Sequence, residues 1–156
     1  MSFEFTVDIA APPERVFAYL TEPELVKRWQ PDLAELAPLP PGGLRVGTRQ
    51  RATVEEYGRR FEVETVVVAL IVNQLLGYEM QAPTATVRGE YRLIRQVNLT
   101  RIEETVTVKP RGPMSMVWPL VKGFFRRKME SRLKLLKQTV ETGEKLSVQA
   151  GAAQPH

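Results

Sequence analysis

The stretch Met116-Val117-Trp118-Pro119-Leu120-Val121-Lys122-Gly123-Phe124-Phe125-Arg126-Arg127-Lys128-Met129-Glu130-Ser131-Arg132-Leu133-Lys134-Leu135-Leu136-Lys137-Gln138-Thr139-Val140 decides the fold. At about 100° per residue, Trp118, Val121, Phe125, Met129, Leu133, Leu136 and Val140 fall on one arc, three or four apart. Lys122, Arg126, Arg127, Glu130, Lys134, Lys137 and Glu141 are read as the wet side. The spacing predicts one long amphipathic helix, about 40 Å from end to end at roughly 1.5 Å per residue. No short helix covers that length, so its dry side requires a sheet. Gly143 reads as the helix stop, and residues 144–156 as a flexible tail, small and polar from Ser147 onward.

The chain before the helix supplies that sheet. Phe3, Phe5, Val7 and Ile9 alternate with Ser2, Glu4, Thr6 and Asp8, the period of a strand with one buried face. Pro12-Pro13 stops it and opens a short helix in which Val16, Phe17 and Leu20 share a face. Thr21-Glu22-Pro23 repeats the device, with Thr21 as N-cap of a second short helix ending near Trp29. A weak strand over residues 33–39 leads into a Pro/Gly loop, residues 38–43. Residues 48–56 and 59–71 then form a hairpin around Tyr57-Gly58, with Phe61, Val63, Thr65 and Val67 on one face. Strands over 75–81, 84–96 and 99–109 complete an antiparallel meander, and Pro110-Arg111-Gly112-Pro113 releases the chain into the long helix. Nothing repeats, and residues 1–143 read as one domain.

At 156 residues the chain is long enough to bury roughly two thirds of its unfolded surface without a staple. Without Cys it has no disulfide, thiolate metal site or Cys nucleophile. The N-terminus lacks the pattern of a signal peptide, and residues 66–72 are too short to span a bilayer, which predicts a cytoplasmic protein. In that setting Asn98-Leu99-Thr100 is a chance sequon. The net charge is +4, but both signs are interspersed with no run of five like charges, which argues against a nucleic-acid partner.

The opening Thr6-Val7-Asp8-Ile9-Ala10-Ala11-Pro12-Pro13-Glu14-Arg15-Val16-Phe17, followed by Pro23-Glu24-Leu25 and Lys27-Arg28-Trp29, resembles the START-like, SRPBCC (polyketide cyclase/dehydrase-like) superfamily. The resemblance covers residues 3–143. It implies an α+β helix-grip fold: a seven-stranded curved antiparallel sheet wrapped around the long C-terminal helix, two short helices after strand one, and an apolar cavity between sheet and helix. Physically, a curved sheet and a straight helix cannot touch along their whole length, and Gly89, Ala85 and Ala52 on one strand face leave room. Members of the superfamily include lipid and quinone carriers, hormone-binding proteins, aromatic polyketide cyclases and chaperone co-activators. The implied function is binding or transport of a hydrophobic small molecule, a lipid, isoprenoid/quinone or aromatic polyketide-like compound, with no cofactor. The alternatives are a cyclase/dehydratase-type enzyme and a protein-interaction module; the oligomeric state is left open.

Phe61, Tyr78, Met80, Tyr91, Trp118, Phe125 and Met129 are either the lining of such a cavity or ordinary core. Tyr78 and Tyr91 favour the first reading, because a buried phenol wants a partner that a ligand supplies. Trp29, with the loop over residues 38–43, is expected to form a mobile lip. Glu104 shares a strand face with Ile102, Val106 and Val108, so its carboxylate points inward, toward a partner or a raised pKa, unless a bulge turns it out. Arg132 falls inside the apolar arc between Val121 and Phe125. It must snorkel to an edge, pair with a carboxylate, Glu104 being the natural internal one, or meet a ligand. The lone His156 lies in the tail, no Ser/His/Asp set assembles, and carboxylates alternate with Arg along the strands, so neither catalytic nor metal-ligating residues are assigned. That places binder above enzyme. The outer arc with Lys122, Arg126, Arg127, Lys134 and Lys137 reads as a solvated face, interrupted by Glu130 and Glu141, with docking on a membrane or acidic partner as the alternative.

Overall fold

A computed structural model describes residues 2–153, with side chains described as far as Leu146. The elements in chain order are β1 (Ser2–Ile9), α1 (Pro13–Thr21), α2 (Pro23–Trp29), β2 (Leu33–Leu36), β3 (Arg49–Glu56), β4 (Arg59–Ile71), β5 (Leu75–Gln81), β6 (Ala85–Gln96), β7 (Leu99–Pro110) and α3 (Pro113–Ala153). The seven strands form one antiparallel sheet in the order β1-β7-β6-β5-β4-β3-β2. This is the helix-grip arrangement: the meander β2 to β7 runs in sequence, and β1 closes onto β7.

Local chemistry accounts for the turns and the bend. Tyr57 and Gly58 both take positive φ, at 52° and 73°, the two-residue turn whose twist suits a tight hairpin. In β4 the register with β5 slips between Val67 and Ala69, and in β2 the register with β3 slips between Leu33 and Glu35. Such bulges increase local twist and bend the strand. They curl the sheet on the side away from β1, opening a gap against a straight helix.

The core is therefore lopsided. Met129, Leu133, Leu136 and Val140 of α3 are buried against the sheet, together with Ile9, Ile102 and Val106 and with Val16 and Tyr19 of α1. Each such side chain contributes about 1.5–3 kcal/mol. Nearer the start of α3, Trp118, Val121 and Phe125 are only half-buried. Phe125 rests on Phe3 at a ring-centroid distance of 5.5 Å and on Trp118 at 5.6 Å, and it also borders the gap.

Three local expectations are corrected. Gly143 does not stop the helix: α3 continues to Ala153, so residues 144–153 are helical backbone. A Cβ on Gly143 would lie 2.6 Å from the Tyr19 hydroxyl, so this glycine serves close packing of α1 on α3. The end of the expected tail, residues 154–156, lies outside the described residues, as does His156 with it. Thr21 is not the N-cap of α2; Glu22 holds that position without a side-chain cap, and the Thr21 hydroxyl donates to the Phe17 carbonyl at 2.9 Å, one turn back in α1. The weak strand is shorter than expected, ending at Leu36.

Candidate ligand site

Between the sheet and the first half of α3 lies a cavity of about 710 Å³, within the range of roughly 300–1,000 Å³ that holds small-molecule ligands. All ten side chains singled out from the sequence border it: Trp29, Phe61, Tyr78, Met80, Tyr91, Glu104, Trp118, Phe125, Met129 and Arg132. The strand alternation explains why. Phe61 with Val63, Thr65 and Val67 presents one face of β4, Tyr78 and Met80 one face of β5, and Tyr91 and Glu104 the same face of β6 and β7.

The inner wall is polar at one place. Glu104 stands opposite Tyr91 on one side and Phe5 on the other, and no bulge turns it outward; it is 2% exposed. Its pKa is pushed up to about 7, chiefly by burial, against the opposing pull of the Tyr91 hydroxyl and the more distant Arg132 guanidinium. The Tyr91 phenol hydrogen-bonds to that carboxylate, and burial together with the Glu104 charge drives its own pKa up. Tyr78 continues the row, its ring 5.9 Å from that of Tyr91 and its pKa likewise raised by burial and by Glu104. Tyr78 lies across Gly89, where a Cβ would come 2.3 Å from the ring. The room expected from Gly89 is thus occupied by Tyr78, which holds the phenol beside Tyr91. One carboxylate oxygen of Glu104, Oε2, is buried without a hydrogen-bond partner, as is the indole Nε1 of Trp118. A buried polar atom left unpaired costs about 1–3 kcal/mol, and both residues face the cavity.

Arg132 borders the cavity but its ion-pair partner is Asp32, at 3.6 Å, instead of Glu104. The reason is reach: Asp32 sits in the turn after α2, beside the same stretch of α3, and the guanidinium extends to this half-exposed edge instead of staying inside. Lys128, which helical spacing alone does not single out, completes the cluster by pairing with Glu56 and, at 3.4 Å, with Asp32. Burial and the neighbouring Arg132 charge lower its pKa, partly offset by Asp32. On the helical wheel Lys128 falls beside Val121, at the border of the apolar arc, and that position is the available signal.

The mouth lies elsewhere than expected. Trp29 is 3% exposed and its Nε1 donates to the Tyr19 carbonyl at 2.8 Å, which makes it fixed wall. Residues 38–43 do not border the cavity. The bordering residues that are themselves exposed are Tyr57, Arg59 and Arg60 at the β3–β4 hairpin, Pro83 and Thr84 in the β5–β6 turn, and Phe124 of α3. Among the described residues no group of three His, Cys, Asp or Glu is placed to hold a metal ion, and no helix is long and apolar enough to cross a membrane.

A curved sheet gripping a C-terminal helix over an enclosed apolar space defines the START-like class. The family model described as polyketide cyclase/dehydrase and lipid transport matches residues 1–141, and the chain belongs to that family. A START superfamily protein from Mycobacterium smegmatis superposes with a TM-score of 0.75 at 19% identity, covering 90% of this chain and 97% of that one. A protein from Thermus thermophilus gives 0.70 at 20% identity, over 92% and 99%. A protein of the dynemicin biosynthetic locus gives 0.69 at 16% identity, over 91% of this chain and 48% of its own. At these identities the likeness concerns the fold. No curated protein sequence matches the chain.

Proposed function

We propose that this protein binds and carries an apolar small molecule that bears at least one oxygen function. The observation behind this reading is the cavity of about 710 Å³ whose inner wall holds a buried, unpartnered Glu104 oxygen. A fold that leaves such a gap forgoes dispersion contacts along the whole N-terminal half of α3, and it strands a polar atom there as well. A ligand restores both, its body against Phe61, Met80, Phe125 and Met129 and its hydroxyl or carbonyl at Glu104. With a pKa near 7 the carboxyl accepts a hydrogen bond when ionised and donates one when protonated.

Native mass spectrometry of the purified chain, followed by extraction, tests the reading. A bound apolar compound released only on unfolding is the expected result. A ligand-free protein that also leaves an apolar fluorescent probe unbound at micromolar concentration refutes it.

A second reading has one observation in its favour: a carboxyl poised near neutrality beside two phenols suits general acid–base work in a dry site. It requires turnover of a polyketide-like substrate that Glu104→Gln abolishes while the bound complex persists.

A further inference from the structure

The first half of α3 carries a second apolar stripe that the fold leaves in water. Met116 and Leu120 are each 85% exposed and Phe124 is 51% exposed. Four apart, they climb one side of the helix, turned away from the arc of Trp118 and Phe125. At the top of the stripe the Phe124 ring meets Tyr57 at 6.1 Å, and Tyr57, at the tip of the β3–β4 hairpin, is 76% exposed. Helix and hairpin thus present one apolar patch, and it stands at the cavity mouth, since Tyr57 and Phe124 also border the cavity. Isolated exposed apolar side chains are ordinary; a contiguous set of four around an opening is not.

Charge says what covers it. Arg59 flanks the hairpin tip, and Arg127, also exposed, falls between Met116 and Leu120 on the helical wheel. Neither forms an ion pair among the described residues, whereas the nearby acids are taken: Glu56 by Lys128, Glu55 by Arg60 and Glu130 by Arg126. The patch is therefore apolar at its centre and cationic, uncompensated, at its rim. A second copy of this chain fits poorly, because a two-fold contact would bring one cationic rim, with Arg59 and Arg127, against the same rim of the other copy.

We propose that this rim docks on the surface of a bilayer containing anionic lipid. Met116, Leu120, Phe124 and Tyr57 enter the boundary between headgroups and acyl chains, while Arg59 and Arg127 meet lipid phosphates. The cavity mouth then opens onto hydrocarbon, so an apolar ligand passes between cavity and membrane without crossing water. The surface is read from exposure and charge alone, so it stands whether or not the cavity's ligand is itself a lipid.

Co-sedimentation of the full chain with vesicles of phosphatidylcholine alone, or of phosphatidylcholine mixed with phosphatidylglycerol, tests the proposal. Binding to the mixed vesicles, weakened by salt, is expected. The double substitution Met116→Glu with Leu120→Glu, at positions that do not border the cavity, is expected to lower it at least about tenfold with unchanged thermal stability. Double replacement of Arg59 and Arg127 by Gln is expected to remove the preference for phosphatidylglycerol. Absence of binding, equal binding to both vesicle types, or binding that the Glu pair leaves intact overturns the proposal. So does concentration-dependent dimerisation that the Glu pair abolishes, which assigns the patch to a second copy.

Discussion

Replacing Glu104 by Gln removes a charge that the fold disfavours, and the size of the effect follows from the site. The carboxyl has an ordinary value of 4.5 and sits at about 7 in the folded protein, raised by burial on β7. The groups facing it are Tyr91 from β6, Tyr78 from β5 and Arg132 from α3; the first and last pull the value down without overcoming burial. Because the folded value is the higher one, the native state holds the proton more tightly. The contribution of Glu104 to stability is greatest below about pH 4.5, falls as pH rises between the two values, and levels off above about 7. At about 1.4 kcal/mol per unit, the loss between pH 5 and pH 8 is on the order of 2–3 kcal/mol. Gln keeps the shape and a partner for Tyr91 but does not titrate. The ligand-free variant should therefore match the native protein near pH 5 and exceed it by roughly that amount at pH 8. Urea unfolding followed by tryptophan fluorescence at the two pH values measures it, with Glu103→Gln, one residue along on the exposed face, as control. Parallel pH profiles for Glu104→Gln and the native protein refute the burial account of this site.

Other substitutions probe the packing around the cavity. Gly123→Ala and Gly143→Ala both replace a helical glycine, which by propensity alone stabilises by about 1 kcal/mol. Gly123 meets nothing within 4 Å and should show that gain, whereas Gly143→Ala drives a methyl into the Tyr19 hydroxyl and should lose stability, restored by adding Tyr19→Phe; thermal unfolding of the set decides. Gly89→Ala should displace the Tyr78 ring and cost about 1–3 kcal/mol, an effect that vanishes in a Tyr78→Ala background if the ring is the obstacle. Arg132→Leu removes a positive charge that lowers the Glu104 pKa, so the Glu104 titration followed by carbon NMR should move further upward; an unmoved titration places the guanidinium out of electrostatic reach.

What could be read from the chain and what could not divides along a physical line. The strands, the hairpin turn at Tyr57-Gly58 and the dry arc of α3 follow from periodicity and turn chemistry, which are local, and so the inward set from Phe61 to Met129 was legible as well. Gly143 was misread because a glycine after a helical run has the same local signature whether it ends the helix or makes room, and the deciding Tyr19 lies on another element. The lip was misplaced for a similar reason: Pro and Gly content marks residues 38–43 as loop, but only the closure of the sheet shows that the opening lies between the β3–β4 hairpin, the β5–β6 turn and α3. Arg132 reached the edge and paired with a carboxylate, two of the outcomes open to it, but the carboxylate is not the one the wheel suggested. Wheel position put the guanidinium beside the cavity and left Glu104 as its natural internal partner. In the folded chain Asp32, in the turn after α2, draws both Lys128 and Arg132 to it, leaving Arg132 only a distant attraction for Glu104. Had Arg132 paired with Glu104 inside, the carboxylate would have been held ionised, with its pKa low and both its oxygens engaged. The contact with Asp32, a partner on another element, is thus the one that leaves Glu104 buried, near neutrality and with a free oxygen facing the cavity.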